Sequence, residues 1–193
     1  MSLHPIGSVG HNLMRMRGVW HDHVEIFSPD GTPLAEDSQS GTPGAAPFDN
    51  LVYVDFDGVN YTQTNVTFRG RPVHLRTFRG RLVEGVLRFG NLGPNDPGHI
   101  GVSGGPGILF FLASELDEGT QNYAEPDCVR LIGTSERTRT TVLYRGGKVV
   151  RSMTANGVRL APDASVRVPW DPRGPEGPVH FRHEDTQVFE EKA

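Results

Sequence analysis

The chain has 193 residues, of which 36% are hydrophobic and 22% charged, enough for one sizeable core in a single domain over residues 1–193. Its net charge of −4 and pI near 6.0 give no general attraction to nucleic-acid phosphates or anionic lipid, so we expect neither nucleic acid nor a membrane as partner. The single cysteine, Cys128, cannot form an internal disulfide, and no apolar stretch has the length of a signal peptide or a spanning helix, so we predict a cytoplasmic protein.

The period that recurs along the chain is two, which is typical of half-buried antiparallel strands. Only His11–Arg17 and Ala113–Glu118 have a briefly helical pattern. The predicted strands, in chain order, are Val19–Phe27, Leu51–Asp57, Asn60–Phe68, Val73–Phe78, Arg81–Phe89, Ile108–Ala113, Cys128–Gly133, Arg137–Arg145, Lys148–Ala155 and Ser165–Val168. The fold class is therefore all-β, with little helix.

The head of the first strand, Gly18-Val19-Trp20, indicates how the strands close. Glycine lets the backbone pass close to another strand, and the indole of Trp20 can fill one end of a barrel. We therefore expect Trp20 to be buried at the closed end of a single antiparallel barrel of about eight to ten strands, the size that holds one small ligand.

Turn dipeptides predict that strands adjacent in sequence pair in space. Asp57-Gly58 and Gly146-Gly147 are tight-hairpin pairs, Arg79-Gly80 is a looser one, and Pro29-Asp30-Gly31 is a turn. Three Gly/Pro-rich stretches fall outside the strand pattern: Ser38–Pro47, Gly90–Gly107 and Pro169–Pro178. Gly90–Gly107 is predicted to be a loop, either a lid at the barrel mouth or a disordered insertion. Residues 1–12 and 184–193 are expected to be flexible ends.

These motifs carry a family resemblance. Gly18-Val19-Trp20, the turn at Ser28-Pro29-Asp30-Gly31, and the late run from Glu136-Arg137-Thr138-Arg139 through Leu143-Tyr144 to Gly146-Gly147 resemble the calycin superfamily. Within it, the chain looks most like bacterial lipocalin-like domains related to phycobiliprotein lyases. The resemblance implies a lipocalin-like barrel with an internal cavity. Asn156-Gly157-Val158-Arg159 departs from it, since such domains often have a glutamate there.

Strand alternation assigns the first candidate residues to opposite faces. If Trp20 points inward, Asp22 does too, whereas His21, His23 and Glu25 point outward. A metal site of His21, His23 and Glu25 is therefore disfavoured, and we expect no metal or cofactor. Inside the barrel, Asp22 could have a raised pKa, or it could be a structural acid paired with an arginine, which we favour.

The strand Arg137–Arg145 supplies the remaining candidates. One face carries Arg137, Arg139, Thr141, Leu143 and Arg145, and the other carries Thr138, Thr140, Val142 and Tyr144. We predict that the second face is the interior, with Thr140 and Tyr144 as hydrogen-bonding anchors for a ligand. Arg139 is included as a guanidinium suited to an acidic ligand.

Two further motifs are weak. Gly101-Val102-Ser103-Gly104-Gly105 matches the G-x-S-x-G pattern of serine hydrolases, but no strand-to-helix turn is predicted there. His180-Phe181-Arg182-His183 is better explained as a solvated tail than as a metal site.

The sequence thus predicts binding of a small, largely apolar or amphiphilic molecule inside the barrel, with Trp20, Asp22, Thr140, Tyr144 and Arg139 as candidate ligand-binding residues. The alternative is a barrel enzyme, an isomerase, cyclase or chromophore lyase, in which Asp22 or Tyr144 handles a proton. A partner-binding module that uses exposed arginines ranks lower, and a homodimer is left open.

Overall fold

The computed structural model describes residues 4–34, 47–68, 73–90, 98–113, 126–145, 147–165 and 181–183. Its elements are α1 (Val9–Met16), β1 (Gly18–Phe27), β2 (Phe48–Phe56), β3 (Asn60–Phe68), β4 (Val73–Val83), β5 (Val86–Phe89), β6 (His99–Gly105), β7 (Ile108–Ala113), β8 (Asp127–Ile132), β9 (Glu136–Arg145), β10 (Lys148–Ala161) and β11 (Phe181–His183). No helix in these ranges is long and apolar enough to span a membrane.

Strands β1 to β10 form a closed antiparallel barrel. Each strand pairs with the next one in sequence, and β10 pairs back with β1, which completes the circle. Strand β11 adds to β4 in parallel, with Phe181 opposite Val73. The predicted single lipocalin-like barrel, built from sequential antiparallel neighbours, is confirmed.

The first strand shows why the barrel closes where it does. Gly18 adopts a φ of +124°, and a Cβ atom there would lie 2.2 Å from the Ala161 carbonyl oxygen on β10. Beyond it, Asp22, Val24 and Ile26 are buried, whereas His23 and Glu25 are exposed. The predicted close approach at Gly18 and the predicted inward face of β1 are both confirmed.

Helix α1 packs against one end of the barrel. Ser8 caps the helix by accepting a hydrogen bond from the His11 backbone N–H at 3.2 Å. Val9, Leu13 and Met16 pack in the same buried cluster as Trp20. Trp20 is completely buried, and its Nε1 donates to the Met16 carbonyl oxygen at 2.8 Å, which satisfies one of the free carbonyls at the end of the helix. The predicted short helix is confirmed, and its packed residues begin within the stretch 1–12 that was expected to be flexible.

The predicted turn at Arg79-Gly80 is wrong. Gly80 lies inside β4 and not in a turn. A glycine is needed there because the β5 backbone passes so close that a Cβ atom would lie 2.9 Å from the Arg88 carbonyl oxygen. The hairpin turn falls instead at Glu84-Gly85, where both residues have positive φ, 50° and 81°. That pattern is typical of a tight turn that matches strand twist.

The predicted loop Gly90–Gly107 is also wrong in its second half, because His99–Gly105 forms β6. Its glycines permit close packing: a Cβ atom on Gly101 would lie 3.0 Å from Leu87 Cβ, and one on Gly104 would lie 2.5 Å from the Phe110 ring. Other predictions lie outside the described residues, wholly or for all but a terminal residue, namely the loop at Ser38–Pro47, the helix Ala113–Glu118, the strand Ser165–Val168 and the stretch Pro169–Pro178.

Candidate functional site

The candidate site is the barrel interior, which we call the lumen. Trp20 and Asp22 face it from β1, as predicted, and on β9 the inward side chains are Arg137, Arg139, Thr141 and Leu143. Arg137 and Leu143 are only 2% and 7% exposed. The lumen wall on β9 is therefore the arginine-bearing face.

The prediction that Thr140 and Tyr144 face the lumen is wrong. Thr140 pairs with Thr154, whose neighbour on β1 is the exposed Glu25, and this row of residues lies outside the barrel. Tyr144 shares the parity of Thr140 and pairs with the exposed Val149. The polarity of the two faces predicted the wrong inward face, because Arg137 is buried in an ion pair. The two partners of that pair are distant in sequence and meet only in the folded barrel.

That ion pair joins Arg137 to Asp22. Arg137 Nε donates to Asp22 Oδ1 at 2.9 Å and Nη2 donates to Oδ2 at 2.6 Å, a bidentate contact between side chains that are each 1% exposed. Burial alone would raise the pKa of Asp22, but the charge and hydrogen bonds of Arg137, assisted by Arg139, lower it below its usual value. Asp22 is therefore the structural acid that the sequence analysis favoured.

Gly157 makes room for this pair. It lies opposite both Asp22 and Arg137 in the sheet, and a Cβ atom there would lie 2.3 Å from Asp22 Oδ1 and 2.7 Å from Arg137 Cγ. Gly157 lies in the stretch that stands where the resembled domains often have a glutamate, and its lack of a side chain leaves space for the buried ion pair.

A second carboxylate, Asp127 on β8, extends the polar cluster. Arg139 hydrogen-bonds through Nη2 to Asp127 Oδ2, and its Nη1 lies 3.6 Å from Asp22 Oδ2. Burial opposes the charge of Arg139, but Asp127 and Asp22 outweigh burial and raise its pKa. Asp127 Oδ1 and Arg139 Nε are nevertheless buried and have no hydrogen-bond partner among the residues that the structure describes.

The closed end of the lumen contains a stacked indole. The guanidinium carbons of Arg137 and Arg159 lie 4.6 Å and 4.5 Å from the centre of the Trp20 ring. Burial lowers the pKa of Arg159, as do the charges of Arg137 and Arg15. Trp20 therefore links the plugged end to the Asp22–Arg137 pair, and its ring is completely buried.

Across the lumen, β3 carries a chain of polar side chains. Tyr61 Oη donates to Gln63 Oε1 at 2.6 Å, and Gln63 Nε2 donates to Asn65 Oδ1 at 2.9 Å. Burial raises the pKa of Tyr61, so its hydroxyl remains protonated. The Tyr61 ring meets Phe89 edge-on at 5.7 Å, and Phe89 meets Phe111 at 5.9 Å. The lumen thus combines polar groups with an aromatic wall.

The histidines of β1 lie outside the barrel. His21 Nε2 and His23 Nδ1 lie 2.8 Å and 3.1 Å from the same oxygen, Oδ1 of Asp49 on β2. Glu25 is also exposed. In the described ranges, no group of three or more His, Cys, Asp or Glu residues is arranged to hold a metal ion.

Ser103 of the G-x-S-x-G match lies within β6 and joins that strand to the helix. Its hydroxyl accepts from Asn12 Nδ2 at 3.2 Å and from the Gly105 N–H at 3.0 Å. Strand β6 leads into the hairpin to β7, so the strand-to-helix turn that a hydrolase nucleophile requires does not occur here.

Three residues that organise this interior were not among the predicted site residues: Arg137, Asp127 and Asn12. Arg137 was assigned to the outer face, and Asp127 lies just before the predicted strand at Cys128. Asn12 is completely buried, and its amide contacts Ser103, Gly105, Gly107 and Ile108. A polar residue on the apolar face of a helix was the available signal for Asn12.

The closed sequential barrel with a helix across one end defines a lipocalin-like fold. No protein-family model matches the chain, and no curated protein matches it. Solved structures do share the fold. A protein of unknown function from the DUF3598 family of Nostoc punctiforme matches with a TM-score of 0.58 and 12% identity, over 77% of this chain and 49% of that one. This chain therefore spans about half the length of that protein.

An S-type phycobiliprotein lyase from Guillardia theta matches with a TM-score of 0.52 and 10% identity, over 79% of this chain and 92% of that chain. At these identities the likeness is one of fold. The predicted resemblance to lipocalin-like domains related to phycobiliprotein lyases is confirmed at that level.

Proposed function

We propose that the barrel binds a small amphiphilic molecule in its lumen, with the polar part of the ligand against Arg139 and Asp127. The observation that carries this proposal is that two buried atoms, Arg139 Nε and Asp127 Oδ1, have no hydrogen-bond partner in the described part of the chain. A buried donor or acceptor without a partner costs about 1–3 kcal/mol, and a bound ligand can supply the missing hydrogen bonds.

The aromatic wall supports the same proposal. Phe89 and Phe111 are only partly buried although they pack against the main core cluster, so part of each ring is available for contact. Apolar walls with a few placed polar groups are typical of small-molecule sites. The ligand is thus expected to be more polar than the largely apolar molecule predicted from sequence.

The fold of a phycobiliprotein lyase supports a chromophore as one candidate ligand. The alternative is a barrel enzyme that uses Asp22 and Tyr144 as an acid/tyrosine pair, and the geometry does not support it. Both carboxylate oxygens of Asp22 are hydrogen-bonded to Arg137, and Tyr144 lies on the outer face. Binding without chemistry therefore fits the site better. The cytoplasmic location and the homodimer stay predictions from the sequence.

A pair of adjacent threonines gives a matched test. Thr141 is half-buried and faces the lumen, whereas Thr140 is exposed outside it. We would titrate wild type, Thr141→Phe and Thr140→Phe with N-phenylnaphthylamine, a neutral dye that fluoresces in apolar sites, and compete the dye with oleate and with biliverdin. Circular dichroism would check that each variant folds.

Thr141→Phe fills the lumen, so we expect it to weaken dye binding at least about tenfold, or about 1.4 kcal/mol. Thr140→Phe should bind like wild type. Absence of dye binding to wild type, or an equal loss in both variants, would overturn the proposal.

A further inference from the structure

The described part of the lumen contains more arginines than carboxylates. Its inward carboxylates are Asp22 and Asp127, and its inward arginines are Arg76, Arg137, Arg139, Arg151 and Arg159. Arg137 and Arg139 pair with the two aspartates, and Arg159 stacks on Trp20 and hydrogen-bonds to the Arg15 carbonyl oxygen. Arg76 and Arg151 are left without a carboxylate among the described residues.

Arg76 lies on the wall of β4. It pairs with Asn65 and shares the inward face with Phe78, Gly80 and Leu82. Its guanidinium carbon lies 4.8 Å from the centre of the Phe78 ring, and both side chains are half-buried. An arginine held on an aromatic face retains most of its in-plane N–H donors for another group.

Arg151 lies on β10, in the half of the barrel away from α1. It pairs with Leu143, which is 7% exposed, and has the same parity as the buried Ala155 and Gly157. Its Nε is buried, and no described residue hydrogen-bonds to it. A cation that is partly removed from water without a counter-charge is costly, and an anion in the lumen would offset that cost.

We infer that the lumen selects organic anions, whose carboxylate, sulfonate or phosphate groups bind the guanidinium groups of Arg76 and Arg151. This inference rests on the proposed function and adds the charge class of the ligand. Arginine binds such groups bidentately and remains charged at any physiological pH. The half-buried Phe78 and Phe111 provide the surface for an apolar, preferably aromatic, body.

A matched pair of dyes tests the charge directly. Anilinonaphthalene sulfonate and N-phenylnaphthylamine share one aromatic body, but only the first is an anion. We would measure both dissociation constants for wild type, for Arg76→Gln and Arg151→Gln, and for Arg88→Gln as control. Arg88 is an exposed arginine on β5 whose neighbours in the strand, Leu87 and Phe89, belong to or pack on the core.

We expect Arg76→Gln and Arg151→Gln each to weaken binding of the sulfonate dye by about three- to tenfold, within the range of the net contribution of a typical hydrogen bond. Binding of the neutral dye should change less than about twofold, which also reports that the variants fold. Arg88→Gln should change neither constant. In wild type, salt should weaken binding of the sulfonate dye and leave that of the neutral dye unchanged.

The outcomes separate the two proposals. If the neutral dye binds in the lumen and the sulfonate dye responds neither to salt nor to the two substitutions, the inference is overturned while the proposed function stands. If wild type binds neither dye, the proposed function fails and the inference fails with it. If a glutamine variant does not fold, Arg76→Lys or Arg151→Lys, which keeps the charge, replaces it. The wild-type protein alone still tests the inference, because binding of the sulfonate dye that does not weaken with salt would overturn it.

Discussion

At the scale of single residues, a few side chains determine what the interior can hold. The inward face of β1 could be predicted from Trp20, because a large indole at the start of a strand is most stable when it is buried in a core. The burial of Arg137 could not be predicted, since its partner Asp22 is 115 residues away in sequence. Alternation identifies the two faces of a strand, but a buried ion pair can reverse which face is polar.

Trp20→Ala should destabilise the protein by about 3–5 kcal/mol, as a large truncation in a packed core does. The substitution removes the indole between Arg137 and Arg159 together with its hydrogen bond to Met16. Urea denaturation measures the effect, with Val158→Ala, at a 51% exposed position on β10, as control. A loss below about 1 kcal/mol would contradict the role of Trp20 as the plug of the closed end.

Asp22 links stability to pH. Because its pKa is lower in the folded protein than in the unfolded chain, the unfolded chain binds more protons in acid, and stability falls as pH drops below about 4. Asp22→Asn should cost about 3–5 kcal/mol at neutral pH, since Arg137 stays buried without a counter-charge, and it should remove part of the loss in acid.

The measurement for Asp22 is urea denaturation at a series of pH values from about 7 to about 3, across the usual carboxylate pKa. Asp55→Asn is the control, because Asp55 pairs with Arg17 on the surface and its side chain is 61% exposed. The control should cost at most about 1 kcal/mol. If the free energy of unfolding depended on pH in the same way in wild type and Asp22→Asn, the buried Asp22–Arg137 pair would not be the source of the acid sensitivity.

At the scale of elements, hairpins were predictable where the turn residues themselves carry the signal. Asp57 accepts hydrogen bonds from the Val59 and Asn60 N–H groups at 2.8 Å and 2.7 Å, which fixes the predicted turn between β2 and β3. Gly80 and the glycines of β6 gave false turn and loop signals, because their lack of a side chain serves close strand packing. Glycine alone does not distinguish these two uses.

Helix α1 has eight residues, too few for stability in isolation. Its attachment to the hairpin between β6 and β7 depends on Asn12, whose Oδ1 accepts from the Gly107 N–H at 2.9 Å and whose Nδ2 donates to the Gly105 carbonyl oxygen at 2.8 Å. Asn12→Ala leaves buried backbone groups unsatisfied, so we expect a loss of about 2–3 kcal/mol.

Hydrogen exchange can locate the effect of Asn12→Ala, with Met14→Ala, at an exposed position of the same helix, as control. Amides of α1 and of the β6–β7 hairpin should exchange faster in the Asn12 variant only. Protection like that of the control would mean that apolar packing alone holds the helix in place.

At the scale of the whole molecule, the barrel follows from the order of its strands. Sequential hairpins need no long-range information, so a chain with period-two segments and short turns predicts the antiparallel circle that Gly18 and Ala161 complete. The character of the lumen was less predictable, because the Arg137–Asp22 pair joins β9 to β1, which come together only when the barrel closes. The resulting interior is polar at β1, β3, β8 and β9 and aromatic at β5 and β7, while β4 carries both Arg76 and Phe78.

A small molecule bound inside this barrel would contact one of two adjacent phenylalanine rings and not the other. Phe110 and Phe111 are neighbours on β7, but Phe110 is 37% exposed outside the barrel while Phe111 packs against the main core cluster. The most direct measurement is an isotope-edited NOE experiment with ring-labelled phenylalanine and bound N-phenylnaphthylamine. We predict NOEs from the dye to the ring of Phe111 and none to that of Phe110. NOEs to Phe110 without any to Phe111 would place the dye on the outer surface and contradict binding inside the barrel.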